Sequence, residues 1–135
     1  VREGAQILRE QACSAVLAVG GGSSMDAAKI IAATRDSSEE PESWAGLNKA
    51  PATAAALYAI PTTAGTGSEA TMGAVISHEG DRSKVVISGA ALLPVAVALD
   101  PDLMLGLPPA ITAATSVCLL SKAASTTPAK SCGSS

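Results

Sequence analysis

The sequence predicts an α/β domain built on a mostly parallel sheet, and three observations carry that expectation. Short apolar runs alternate with segments of helical periodicity. The runs are continuously apolar, as strands buried inside a parallel sheet are. The core must also be aliphatic: 47% of the 135 residues are hydrophobic, yet there is no Phe, one Trp and one Tyr, a composition suited to helices packed on a sheet.

Taken in order, residues 2–11 place Ala5, Leu8 and Ala12 at helical spacing with charges between them. Residues 15–19 (AVLAV) end in glycine and read as a buried strand. After Gly20, Gly21 and Gly22, the residues Met25, Ala28, Ile31 and Ala32 recur at helical spacing while Asp26 and Lys29 point elsewhere. Residues 35–53 are polar, hold two prolines and lack periodicity, so they form a surface connection with at most a short helical turn. Residues 57–61 (LYAIP) are the second strand, 73–77 (GAVIS) the third and 84–88 (KVVIS) the fourth. The last two are joined through a hairpin turn at Gly80 and Asp81 that also holds the sole histidine, His78, a surface turn residue. A fifth strand covers 95–99 (VAVAL), ended by Asp100 and Pro101, and Pro108 and Pro109 open a helix from about 109. The Ser-rich stretch 125–135 is expected to be disordered.

Charge and composition exclude several classes of function. A formal net charge of -3 and almost no aromatic surface give neither a field for a phosphate backbone nor platforms for bases. No run approaches a membrane span and the first residues are no signal peptide, so a soluble, cytoplasmic protein is expected. Cys13, Cys118 and Cys132 form no C-x-x-C pair and are read as reduced thiols. The sequence starts at Val1 without an initiator Met, which suggests that it begins inside something longer.

Chemistry concentrates in two places. A strand that ends in glycines and restarts as a helix leaves the first amides of that helix unpaired at the positive end of its dipole. Glycines there let an anion approach without meeting a Cβ. Ser23 fits the N-cap, with Asp26 completing an Asp version of the capping box. The spacing is neither G-x-G-x-x-G nor a Walker A loop, so on its own it indicates phosphate only weakly, beside the plain reading of a tight turn. The second place, IPTTAGTGSE at 60–69, follows another strand and carries hydroxyls at Thr62, Thr63, Thr66 and Ser68 with Gly65 and Gly67. Hydroxyls and amides at a strand's carboxyl end suit a ribose, pyrophosphate or carboxamide, although a loop that satisfies its own backbone would look the same.

GGGSSMDAAKIIA, AIPTTAGTGSE and LDPDLMLGLPPAITAAT resemble, in order and spacing, the diagnostic segments of the iron-dependent (group III) alcohol dehydrogenases, over residues 1 to about 115. The resemblance implies a Rossmann-like NAD(P)-binding domain over 1–107 and, over 108–124, the first helix of a helical metal-binding domain. Gly21, Gly22 and Ser23 then match the family's pyrophosphate loop. Thr62, Thr63 and Thr66 match its second cofactor loop and Thr71 a further contact. Lys84 matches the lysine near ribose and nicotinamide, and Leu103 lies in a cofactor-lining segment, 101–105. NAD and NADP both stay open, because the acidic residue that grips the adenosine ribose would precede Val1.

The family function so implied is hydride transfer between an alcohol and its aldehyde or ketone, in a homo-oligomer holding Fe(2+) or Zn(2+). Here the pattern departs. Cys118 stands where the family has a metal-binding Asp and Lys122 where it has a His, so no metal ligand is expected in this chain. The stretch from Ser116 onward is unlike a bundle helix, which leads to the expectation of a product cut at both ends that keeps only cofactor-loop features. A non-catalytic nucleotide-binding module and a dehydroquinate-synthase-like member of the same superfold are the alternatives.

Overall fold

A computed structural model describes residues 1–52, 54–77 and 83–115. Helix α1 (Arg2–Glu10) buries Ala5 and Leu8, with Glu3 in its first turn and Arg9 in its last, each charge opposing the helix dipole. Ala12 does not share that face: the helix stops at Gln11, and Ala12 is exposed with φ 49. Strand β1 (Ala15–Gly20) leads into α2 (Gly22–Ala33), and β2 (Ala56–Pro61) pairs parallel to β1 from Ala15 opposite Ala56 to Gly20 opposite Pro61. Strand β5 (Ala96–Val97) adds parallel to the far side of β2, giving the order β1-β2-β5. The expected run 95–99 is thus a strand at only two residues, although Val95 and Ala98 still donate their amides to Leu57 and Ala59. Val95 and Leu99 lie at an edge where they are 68% and 69% exposed, so nothing packs them into a longer ladder.

The third and fourth runs, β3 (Gly73–Ser77) and β4 (Lys84–Ser88), do not join this sheet. They pair antiparallel as a sheet of their own, Gly73 opposite Ser88, and lie over the other side of α2. The expected turn residues Gly80 and Asp81, with His78, lie outside the described residues. The connection between α2 and β2 is more ordered than its composition suggests. Pro41–Trp44 form a 3-10 turn that buries Trp44, whose indole donates to Glu39 at 2.8 Å. Gly46 then exchanges backbone hydrogen bonds with Val86 and Ser88.

Helix α2 therefore sits between two cores. Met25, Ala28 and Ala32 pack with Leu8, Ala18, Leu57 and Ala59 against β1 and β2. Ile30 and Ala33 pack with Trp44, Ala74, Ile87 and Leu92 under the hairpin. Asp26 and Lys29 do turn away from the first core, but toward the hairpin side, and Lys29 is 0% exposed. The expectation of strands buried on both faces holds for one face only. Ala18, Leu57 and Ala59 lie under the helices, while Leu17, Val19 and Tyr58 on the opposite face are 62%, 54% and 41% exposed. Residues 109–115 are helical, as the two prolines predict. The expected tail 125–135 lies outside the described residues. Among the described residues no helix is long and apolar enough to cross a membrane, and Cys13 is a free, half-buried thiol.

Candidate dinucleotide-binding rim

Because β1 and β2 run parallel and stop level with one another, the segments that follow them emerge at the same rim of the sheet. The rim is closed by a direct bond, from the Thr62 amide to the Gly20 carbonyl at 2.9 Å. The two corners singled out in the sequence, 20–23 and 62–68, are thus neighbours. An opening of this kind, at the carboxyl ends of adjacent parallel strands, is where open α/β sheets hold ligands.

Gly20 has φ 149, a conformation that disfavours any side chain, and this sharp turn aims α2 back across the sheet. The helix is capped by Gly21, without a side-chain cap, and the first helical bond runs from Met25 to Gly21. Ser23 is therefore not the N-cap but lies inside the first turn, and the capping box does not form. Asp26 is engaged by Ser68 and Val75, and the extended backbone of Gly21 makes the entry. The amides of Gly22, Ser23 and Ser24 precede that first bond, so they have no acceptor within the helix. Ser23 and Ser24 are exposed.

The glycines do not stand bare toward solvent as expected. A Cβ on Gly21 would lie 3.2 Å from Thr63 Oγ1, and one on Gly22 would lie 3.2 Å from Thr66 Cβ. Their missing side chains make room for the threonines of the second corner, so the two loops interlock. Thr63 Oγ1 is buried without a hydrogen-bond partner, a costly state for a hydroxyl. Thr66 Oγ1 accepts weakly from the Ser68 amide at 3.5 Å. Thr62 is half-buried.

Beneath the rim lies a polar cluster that sequence reading missed. The Asp26 carboxylate accepts from Ser68 Oγ and from the Val75 amide, the latter at 3.0 Å. One turn on, Lys29 Nζ donates to the Thr71 carbonyl at 2.7 Å, the Gly73 carbonyl at 2.7 Å and Thr71 Oγ1 at 3.2 Å. All three ammonium protons are thereby used. Burial pushes the Lys29 pKa down from its ordinary value, and the charges of Asp26 and Glu69 pull it back up. Glu69 keeps one buried carboxylate oxygen without a hydrogen-bond partner. The signal for this cluster was present in the Asp26 and Lys29 spacing, which puts both on one helical face. A charged residue in a helix is, however, normally assigned to solvent.

Thr71 directs its hydroxyl inward, to Lys29 and to the Ser68 carbonyl, which occupies it within the chain. Lys84 opens β4 opposite Ser77, exposed, at the end of the hairpin away from Gly73. Leu103 is 45% exposed in the 3-10 turn Pro101–Met104. Cavities of about 410 Å³ lie elsewhere, one of them between Arg2, Glu42 and Ser77. Among the described residues no group of three or more His, Cys, Asp or Glu could hold a metal ion. Cys118 and Lys122 lie outside the described residues.

The fold is that of a Rossmann-like domain, and comparison with known proteins supplies the family. The sequence model of the iron-containing alcohol dehydrogenases matches residues 1–101, and the chain belongs to that family. It is 42% identical over 115 residues to alcohol dehydrogenase 4 of Saccharomyces cerevisiae, covering 85% of this chain and 30% of the yeast protein. It is 44% identical over 119 residues to 4-hydroxybutyrate dehydrogenase of Cupriavidus necator, covering 85% of this chain and 31% of that enzyme. The crystal structure of sulfoacetaldehyde reductase from Bifidobacterium kashiwanohense in complex with NAD+ superposes with a TM-score of 0.83 at 36% identity, over 90% of this chain and 33% of that one. The chain thus spans less than half the length of each of these relatives.

Proposed function

We propose that the chain supplies the nicotinamide-dinucleotide grip of an oxidoreductase that interconverts a small alcohol and its aldehyde or ketone. The observation that carries this reading is the junction of the two corners: free amides at 22–24 stand beside Thr62, Thr63 and Thr66, joined through the Thr62–Gly20 hydrogen bond. Membership of a family of dehydrogenases and reductases supports the reaction class. An NAD+ complex of a structural neighbour supports the cofactor class.

The residues present fit such a group, since the unpartnered Thr63 hydroxyl and the unpaired amides offer the donors that a pyrophosphate needs. Gly21, Gly22 and Ser23 bind the pyrophosphate through backbone amides at the positive end of α2. Thr62, Thr63 and Thr66 orient the remainder of the cofactor, with Lys84 and Leu103 in further contact, while Thr71, expected as a contact, has its hydroxyl engaged by Lys29 and Ser68. The bound dinucleotide supplies the hydride acceptor and donor. The described residues do not fit a metal centre, so no step is assigned to one. Residues 1–107 are the cofactor-binding unit in this reading, and the helix at 109–115 begins a second, helical part.

Thermal unfolding with NADH, NADPH and inorganic pyrophosphate tests the reading. Ligand at a hundred times its Kd stabilises by about 2.7 kcal/mol, a rise in Tm of several degrees. Protection by a nicotinamide cofactor beyond that given by pyrophosphate is expected. Protection by neither cofactor would overturn the assignment, and equal protection by pyrophosphate would reduce it to an anion turn.

A further inference from the structure

Helix α2 carries the first cofactor corner at its start and, one to two turns on, two charged residues that both reach the far end of the second corner. The segment from Thr62 to Gly73 is held at its beginning by the bond from Thr62 to Gly20. At its end it is held by Asp26, through Ser68 and Val75, and by Lys29, through Thr71 and Gly73. Both anchors belong to the single unit β1–turn–α2. Three acceptors around one fully buried ammonium fix its position far more tightly than an exposed ion pair would. The acceptors are mostly backbone carbonyls, so they fix the path of the main chain between the anchors and not a single side chain. That path carries Thr63 and Thr66, and it sets how they mesh with Gly21 and Gly22.

We infer that Lys29 and Asp26 are positioning residues for cofactor binding: they bind the second corner to the helix bearing the first, so that the two grip a dinucleotide as one preformed surface. This rests on the reading of 20–23 and 62–66 as the cofactor loops. The pair contacts no ligand itself; it acts through Ser68, Thr71 and Gly73. Preformed loops spare the ordering cost that a ligand would otherwise bear, and an isolated lysine of comparable burial would only cost stability.

The test uses the 135-residue chain with Ser68→Ala and Lys29→Met, read by NADH fluorescence titration and by amide hydrogen exchange. Removing a hydrogen bond to a charged group corresponds to roughly tenfold in an equilibrium. For Lys29→Met the NADH Kd is therefore expected to rise about tenfold or more, and for Ser68→Ala, which keeps the lysine and a near-native volume, about fivefold. Amides of 62–71 should exchange faster in both variants while those of β1 and β2 keep their protection. A role in stability alone would lower Tm and expose all amides together, leaving the Kd of the folded protein unchanged. The inference is overturned if Ser68→Ala binds NADH within about twofold of the unaltered chain with unchanged exchange at 62–71. If the unaltered chain fails to bind NADH, the cofactor reading fails; selective loosening of 62–71 in the variants would then still establish the tie between helix and loop.

Discussion

At Gly20 the backbone sits at φ 149, and an added Cβ would lie 2.7 Å from Ser24 Oγ and 2.8 Å from Ser24 Cβ. Both the dihedral and the contact oppose a side chain, so Gly20→Ala should lower stability by about 1–3 kcal/mol in urea denaturation. At Lys29 stability depends on pH. The unfolded lysine holds its proton up to about its ordinary value of 10.5, whereas the folded one releases it earlier because burial disfavours the charge against the pull of Asp26 and Glu69. In the window below 10.5 the unfolded chain binds more protons, so this group makes the fold more stable as pH rises through it. The difference in unfolding free energy between the unaltered chain and Lys29→Met should shift in favour of the unaltered chain between neutral pH and pH 10 (denaturant titrations at matched ionic strength). A difference that shrinks over that range would contradict the downward shift.

The helices and strands were legible to different degrees, for physical reasons. Strand β1, the glycine turn, α2 and β2 are legible from apolar runs and punctuation alone, because local backbone preference and burial agree there. The hairpin's antiparallel pairing was legible in its turn residues, but its separation from the main sheet was not, since strand patterns do not encode which sheet they join. Residues 35–53 look like surface in the sequence because most of them are polar. Yet Trp44 is 2% exposed and closes the second core, so one large side chain outweighs a polar neighbourhood. The candidate rim was legible because glycines and hydroxyls mark it, while the buried tie below it was hidden behind charges. That second core can be tested at Ile87, which is 0% exposed. Ile87→Val should cost about 0.5–1.5 kcal/mol and raise hydrogen exchange in β3 and β4 before β1 and β2.

On the scale of the whole molecule, Leu17, Val19 and Tyr58 form an apolar sheet face left exposed among the described residues. Strand β1 also lies at an edge of its three-stranded sheet. Exposed apolar strands with an open edge favour association between chains. Leu17→Lys should leave Tm nearly unchanged, since that side chain is 62% exposed, while shifting light scattering of the 135-residue chain toward smaller species. No change in scattering would mean that this face is inert. The meshing of Gly21 with Thr63 and of Gly22 with Thr66 reaches beyond affinity. A methyl gained on one side is met by the threonine facing it, so within each pair the effect of one substitution depends on the residue opposite. A library that varies each glycine together with the threonine facing it is therefore the economical search.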